Sequence, residues 1–62
     1  MNMLPEMFTC EEVANRYRVK VLTVWEWIRK GKMSAIKLGR DYRISEEDLK
    51  KFEMERKTAA NT

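Results

Sequence analysis

The sequence predicts a mainly α domain with a small β-hairpin, in the order helix, turn, helix, hairpin, helix. Three observations carry that expectation. Two capped amphipathic segments stand close together in the first half of the chain, apolar residues change from helical to alternating spacing after Gly31, and a third capped segment opens at Ser45.

The first helix opens at Phe8-Thr9-Cys10-Glu11-Glu12-Val13. Thr9 supplies the N-cap oxygen, Glu12 stands at N3 to complete a capping box, and Phe8 with Val13 makes a hydrophobic staple. Val13, Ala14 and Tyr17 continue as an apolar stripe, and the helix ends near Tyr17 or Arg18. In the second helix Val21, Val24, Trp27 and Ile28 share one side. It stops at Arg29-Lys30-Gly31, where cations meet the negative end of the helix dipole and Gly takes the left-handed position. Its start has two candidates, because Lys20 is a poor N-cap whereas Thr23-Val24-Trp25-Glu26 reads as a second capping box. The earlier start is preferred: it leaves a turn of about three residues after the first helix and uses Val21 on the buried stripe.

Past Gly31, Ala35-Ile36-Lys37-Leu38 and Tyr42-Arg43-Ile44 alternate, which puts Ile36, Leu38, Tyr42 and Ile44 on one side and Lys37 and Arg43 on the outward face. Gly39-Arg40-Asp41 reads as the loop between them, with Gly39 at positive φ and Arg40 projecting from the tip. Asp41 is either a turn former or a partner that orients Arg40. Ser45 caps the third helix, Glu46, Glu47 and Asp48 fill its first turn, and Leu49 and Phe52 face inward until fraying begins near Arg56. The organisation expected is a flexible N-terminal arm over residues 1–6, a domain over 7–56 and a disordered tail over 57–62.

With 62 residues, 44% hydrophobic and 37% charged, the chain is one small globular unit. Such a domain buries only about 60% of the surface of its unfolded chain, so little core is left to hollow into a substrate cavity. No catalytic residues are expected and the chain is not expected to be an enzyme: the acidic clusters serve helix starts. The absence of His and the single Cys exclude a Cys/His zinc site and an internal disulfide, and no cofactor or metal is expected. Cys10 and the five Met residues read as core gap-fillers. No apolar run nears the roughly 18 residues of a membrane span, and Met1 to Met7 lacks the pattern of a secretory signal. A cytoplasmic, nucleoid-associated protein without a membrane partner is the expectation.

The net charge of +3 is unevenly spread. Between Arg16 and Arg43 nine basic residues face only Glu26 and Asp41, a net of +7, and the rest of the chain carries −4. That segregation favours a polyanion bound across one face. On the second helix, winding at about 100° per residue turns Leu22, Glu26, Arg29 and Lys30 away from the buried stripe and leaves Trp25 at its border. A cation there bonds guanine or phosphate, a carboxylate accepts from cytosine, and Leu22 meets a thymine methyl. Leu22 and Trp25 fit a protein contact equally well.

The element order is that of a winged helix-turn-helix. The ordered set Phe8-Thr9-Cys10-Glu11-Glu12-Val13-Ala14, Val19, Thr23 to Lys32, Ala35 to Ile44, Glu47-Asp48-Leu49 and Phe52 resembles the excisionase-type branch of the MerR-like winged helix-turn-helix proteins. The resemblance implies a second helix in the major groove and a hairpin wing on an adjacent backbone or minor groove. The chain departs from the usual pattern at Arg18, where a Gly is common, at Lys20, where a Ser-like cap is common, and at Glu26 and Asp41, often basic. Which DNA sequence is read does not carry over from relatives.

The candidate DNA-binding residues are Lys20, Leu22, Thr23, Trp25, Glu26, Arg29, Lys30, Lys37, Arg40 and Arg43. The function expected is sequence-preferring binding of double-stranded DNA by an excisionase-like recombination directionality factor that bends it. A small phage, plasmid or bacterial transcriptional regulator is the alternative. A protein-interaction adaptor docking through Leu22, Trp25 and Met33 is a second one. An integrase (recombinase) or RNA polymerase would be the protein partner, and so short a chain leaves no room for an effector domain. One recognition helix spans few base pairs, so cooperative self-association on repeated sites is expected.

Overall fold

The computed structural model describes residues 6–57. The elements run β1 (Met7–Thr9), α1 (Cys10–Tyr17), α2 (Val21–Arg29), β2 (Ile36–Leu38), β3 (Asp41–Ser45) and α3 (Glu46–Arg56). Three helices and a small antiparallel sheet make a mainly helical winged helix-turn-helix. The expected arm over residues 1–6 and tail over 57–62 lie outside the described residues, apart from exposed Glu6 and Lys57 at their inner ends.

The caps form where the sequence put them. The Thr9 amide donates to Glu12 Oε1 at 2.9 Å and the Glu12 amide donates to Thr9 Oγ1 at 3.1 Å, which closes the capping box. The Asp48 amide donates to Ser45 Oγ at 3.0 Å and starts α3. The earlier start of α2 holds, with Lys20 as an N-cap whose side chain makes no capping bond; Thr23 lies inside the helix and caps nothing.

Both α1 and α2 close in the same way. The Val19 amide reaches back to the Ala14 carbonyl at 2.9 Å, and the Lys32 amide to the Trp27 carbonyl at 2.8 Å. Each six-residue return needs a left-handed residue one position earlier, and these are Arg18 (φ 57°) and Gly31 (φ 75°). Arg18 is the one non-glycine with positive φ among the described residues.

The sheet differs from expectation in two ways. It has a third strand: β1 pairs antiparallel with β3, giving the order β1-β3-β2 and setting Phe8 opposite Ile44. The sequence reading used Phe8 and Thr9 only as staple and cap. Three residues are too few for alternation to show, and the partner strand is distant in the chain.

The second difference is one residue of register. Asp41 belongs to β3 and pairs with Leu38, so Gly39 and Arg40 alone form the loop. Positive φ at Gly39 (64°) and not at Arg40 is the type II′ pattern, whose twist suits a two-residue hairpin. Directly opposed residues share a face, so Ile36 goes with Arg43, Leu38 with Asp41, and Lys37 with Tyr42. The expected inward set of Ile36, Leu38, Tyr42 and Ile44 is therefore split. Ile44 is buried and Tyr42 packs on the core, but Ile36 and Leu38 are 51% and 53% exposed. Lys37 and Arg43 likewise lie on opposite faces, not on one.

The core is Cys10, Val13, Ala14, Val24, Met33, Ile44, Leu49 and Phe52. Met33 is buried, which removes it from the surface that an adaptor would use. Met54, at 71% exposure, is no gap-filler. Tyr17, Trp27 and Phe52 stack as a cluster with centroids 4.7–6.1 Å apart and join α1, α2 and α3. At its rim the Tyr17 hydroxyl donates to Glu53 Oε2 at 2.6 Å, and Arg16 Nε approaches the same oxygen at 3.4 Å.

Candidate nucleic-acid interface

The second helix is presented by its neighbours rather than by its own ends. Val24 is fully buried and Trp27 and Ile28 pack on the core, so the opposite side must face solvent. Leu22, Trp25, Glu26, Arg29 and Lys30 are exposed there, and Thr23 is half-buried. This agrees with the helical-wheel expectation for Leu22, Glu26, Arg29 and Lys30, and for Trp25 at the border.

The three helices differ at their N-termini. The first turn of α1 holds Glu11 and Glu12 and that of α3 holds Glu46, Glu47 and Asp48, each with a side-chain cap. The first turn of α2 holds no acid, and its N-cap makes no side-chain bond. The Thr23 amide donates to the Lys20 carbonyl at 2.9 Å, and the Val21 and Leu22 amides at the positive dipole end of α2 have no side-chain cap.

An open groove of about 320 Å³ separates α2 from the wing, lined by Thr9, Cys10, Glu11, Val21, Trp25 and Arg40 to Arg43. It brings three of the sequence-predicted residues, Trp25, Arg40 and Arg43, around one cleft. Lys20, Leu22, Thr23, Glu26, Arg29, Lys30 and Lys37 do not line it. Cys10 forms its floor; burial holds the thiol above its ordinary pKa, so it sits there as a small apolar group. Arg43 Nη1 donates to the Tyr42 carbonyl at 3.1 Å, which fixes the guanidinium along the strand. Arg40 and Asp41 form no ion pair, and Asp41 serves as the first residue of β3.

Among the described residues the side-chain ion pairs are Arg16–Glu53 and Arg56–Glu55. Of the nine cations between Arg16 and Arg43, eight therefore have no carboxylate within ion-pairing distance. Sequence reasoning missed Ile36 and Leu38 as surface residues of the wing, because their outward position follows from loop length alone.

A family model described as a helix-turn-helix domain matches residues 7–57. The chain belongs to the helix-turn-helix domain family. The match bears out the resemblance to excisionase-like DNA-binding domains, and membership supports DNA as the partner of this helix-turn-helix protein. The chain is also 47% identical over 45 residues to the uncharacterized protein YvgK of Bacillus subtilis (strain 168). That stretch is 73% of this chain and 15% of the relative, so the helix-turn-helix unit spans a small part of the relative's length. No solved structure matches significantly. Among the described residues no helix is long and apolar enough to cross a membrane.

Proposed function

We propose that this helix-turn-helix domain binds double-stranded DNA with a sequence preference, α2 lying in the major groove and the β2–β3 wing on the adjacent backbone or minor groove. The observation that carries the reading is the set of eight unpaired cations distributed over the inter-helix turn, the end of α2 and the wing. A solvated charged surface would mix signs; here both carboxylates of α1 and three of the five on α3 cluster at their own helix starts, and the other two, Glu53 and Glu55, are the ones in ion pairs. Arg29 and Lys30 meet base edges or nearby phosphates, Glu26 accepts from a cytosine amino group, Leu22 and Thr23 offer methyl and hydroxyl contacts, and Lys20, Lys37, Arg40 and Arg43 hold the backbone. The role is that of a non-enzymatic accessory factor, acting in the cytoplasm on nucleoid DNA. As an excisionase-like directionality factor it bends DNA for an integrase.

Fluorescence anisotropy against duplex DNA across a salt series tests the binding mode. Affinity should fall steeply with salt, with a log–log slope reporting several phosphate contacts. A salt-independent or absent interaction would remove the reading. Bending of a site-containing duplex, followed by end-to-end energy transfer, tests the accessory role: an unbent complex favours simple occupancy, as in a transcriptional regulator.

A further inference from the structure

The wing carries an apolar face that neither the core nor the charge argument accounts for. Ile36 and Leu38 are more than half exposed on strand β2, which is an edge of the sheet. The register sets them on the same face as Arg43 and Asp41, with Asp41 opposite Leu38, and the loop that follows Leu38 presents Arg40. Two large aliphatic side chains thus stand beside Arg43 and the Arg40 tip, neither of which forms an ion pair among the described residues.

Three occupants suit an exposed apolar strand edge, and charge separates them. A second copy pairing edge to edge through β2 would, in antiparallel register centred on the strand, set Lys37 against the partner copy's equivalent lysine. Like charges directly opposed across strands are unfavourable, and Arg40 and Arg43 would add to the repulsion. An apolar protein surface gives the flanking cations nothing to pair with. Duplex DNA gives both: phosphates on the rims of the minor groove for the cations, and deoxyribose edges within it for aliphatic side chains. The face is also continuous with the α2–wing groove through Arg43.

We propose that Ile36 and Leu38 form an apolar contact between the wing and the sugars lining a minor groove, so that the wing binds by burial as well as by charge. This rests on the reading that the α2–wing surface binds duplex DNA. Burial and charge respond differently to salt, because only charge neutralisation releases counterions.

The test is the paired substitution Ile36→Thr/Leu38→Thr, which keeps strand propensity and removes apolar surface, compared with Arg40→Ala in the same anisotropy salt series. The Thr pair should weaken duplex binding about tenfold with an unchanged salt slope. Arg40→Ala should weaken it several-fold and lower the slope by about one unit. Met54→Ala, another exposed apolar residue, serves as the control and should change neither. A folded Thr-pair variant that binds within twofold of the parent overturns the apolar contact while leaving DNA binding intact. A Thr pair that lowers the salt slope also overturns it, since its effect would then run through charge. Failure of the parent chain to bind any duplex overturns the DNA reading itself.

Discussion

Arg18 and Gly31 occupy the same position of the same helix-ending motif, so each is a control for the other. Arg18 sits at φ 57°, ψ 46° with its side chain exposed. An L-residue held there costs roughly 1–2 kcal/mol, because Cβ crowds the following carbonyl. Glycine escapes that cost but loses about 0.4–1 kcal/mol through the greater freedom of its unfolded chain. The difference favours Arg18→Gly by about 0.5–1 kcal/mol. At roughly 4–8 °C per kcal/mol in a domain of this size, the melting temperature should rise by about 2–8 °C. Arg18→Ala keeps Cβ and removes the charge, so it should stay near the parent. Gly31→Ala meets open space for its Cβ but must adopt φ 75°, and should lose about 1 kcal/mol. Circular-dichroism melts of the three variants decide the matter. Should Arg18→Gly melt no higher than Arg18→Ala, backbone strain at this turn is not a term in the stability of the domain.

The remaining predictions concern reading, packing and pH. Arg29→Ala and Glu26→Ala should each redistribute preference among duplex sequences by roughly 1–3 kcal/mol at the contacted base pair, as read by binding selection; equal losses on specific and random DNA would reassign them to the backbone. Val24 is fully buried beneath the exposed face of α2, and Val24→Ala should cost about 2 kcal/mol in denaturant unfolding; a neutral effect would mean the site collapses around the missing methyls. The Tyr17 hydroxyl bond holds the Glu53 carboxyl below its ordinary pKa, so that contribution to stability is present above the unfolded value and is lost as pH falls through the folded one. Burial, then the bond to Glu53, raise the Tyr17 phenol to about 12, so its contribution holds below about pH 10 and is lost as pH rises through 12. Tyr17 is half-buried but its bond to exposed Glu53 lies at the surface, so the total is under about 1 kcal/mol, and Tyr17→Phe should flatten both limbs of the stability–pH curve.

The helices were legible because their signals are local. Thr9 with Glu12, Ser45 with Asp48, and Gly31 each declare a helix end within four residues, and Val21, Val24 and Ile28 give the buried side of α2 from spacing alone. The exposed candidates on α2 followed from the same arithmetic. The sheet was less legible, since β1 exists only by pairing with β3 and three residues hold no period. The faces of the wing were misassigned for a different reason. Alternation in β2 and in β3 was read correctly, but the phase between them depends on whether Asp41 is loop or strand, and nothing within Leu38 to Tyr42 decides that before the backbone is seen.

The two-residue tip has an evolutionary consequence. Inserting one codon after Gly39 while the chain keeps a two-residue tip would draw Arg40 into the strand and slip the pairing by one, so that Leu38 opposes Arg40, Lys37 opposes Asp41 and Ile36 opposes Tyr42; Ile36 and Leu38 would then turn toward Tyr42 and Ile44 and Lys37 outward. No strand residue would change. A single indel that kept the tip at two residues would therefore exchange an oily wing face for a cationic one without touching α2. Wing residues of relatives correspond only when equivalent residues close the tip, however well the flanking letters align.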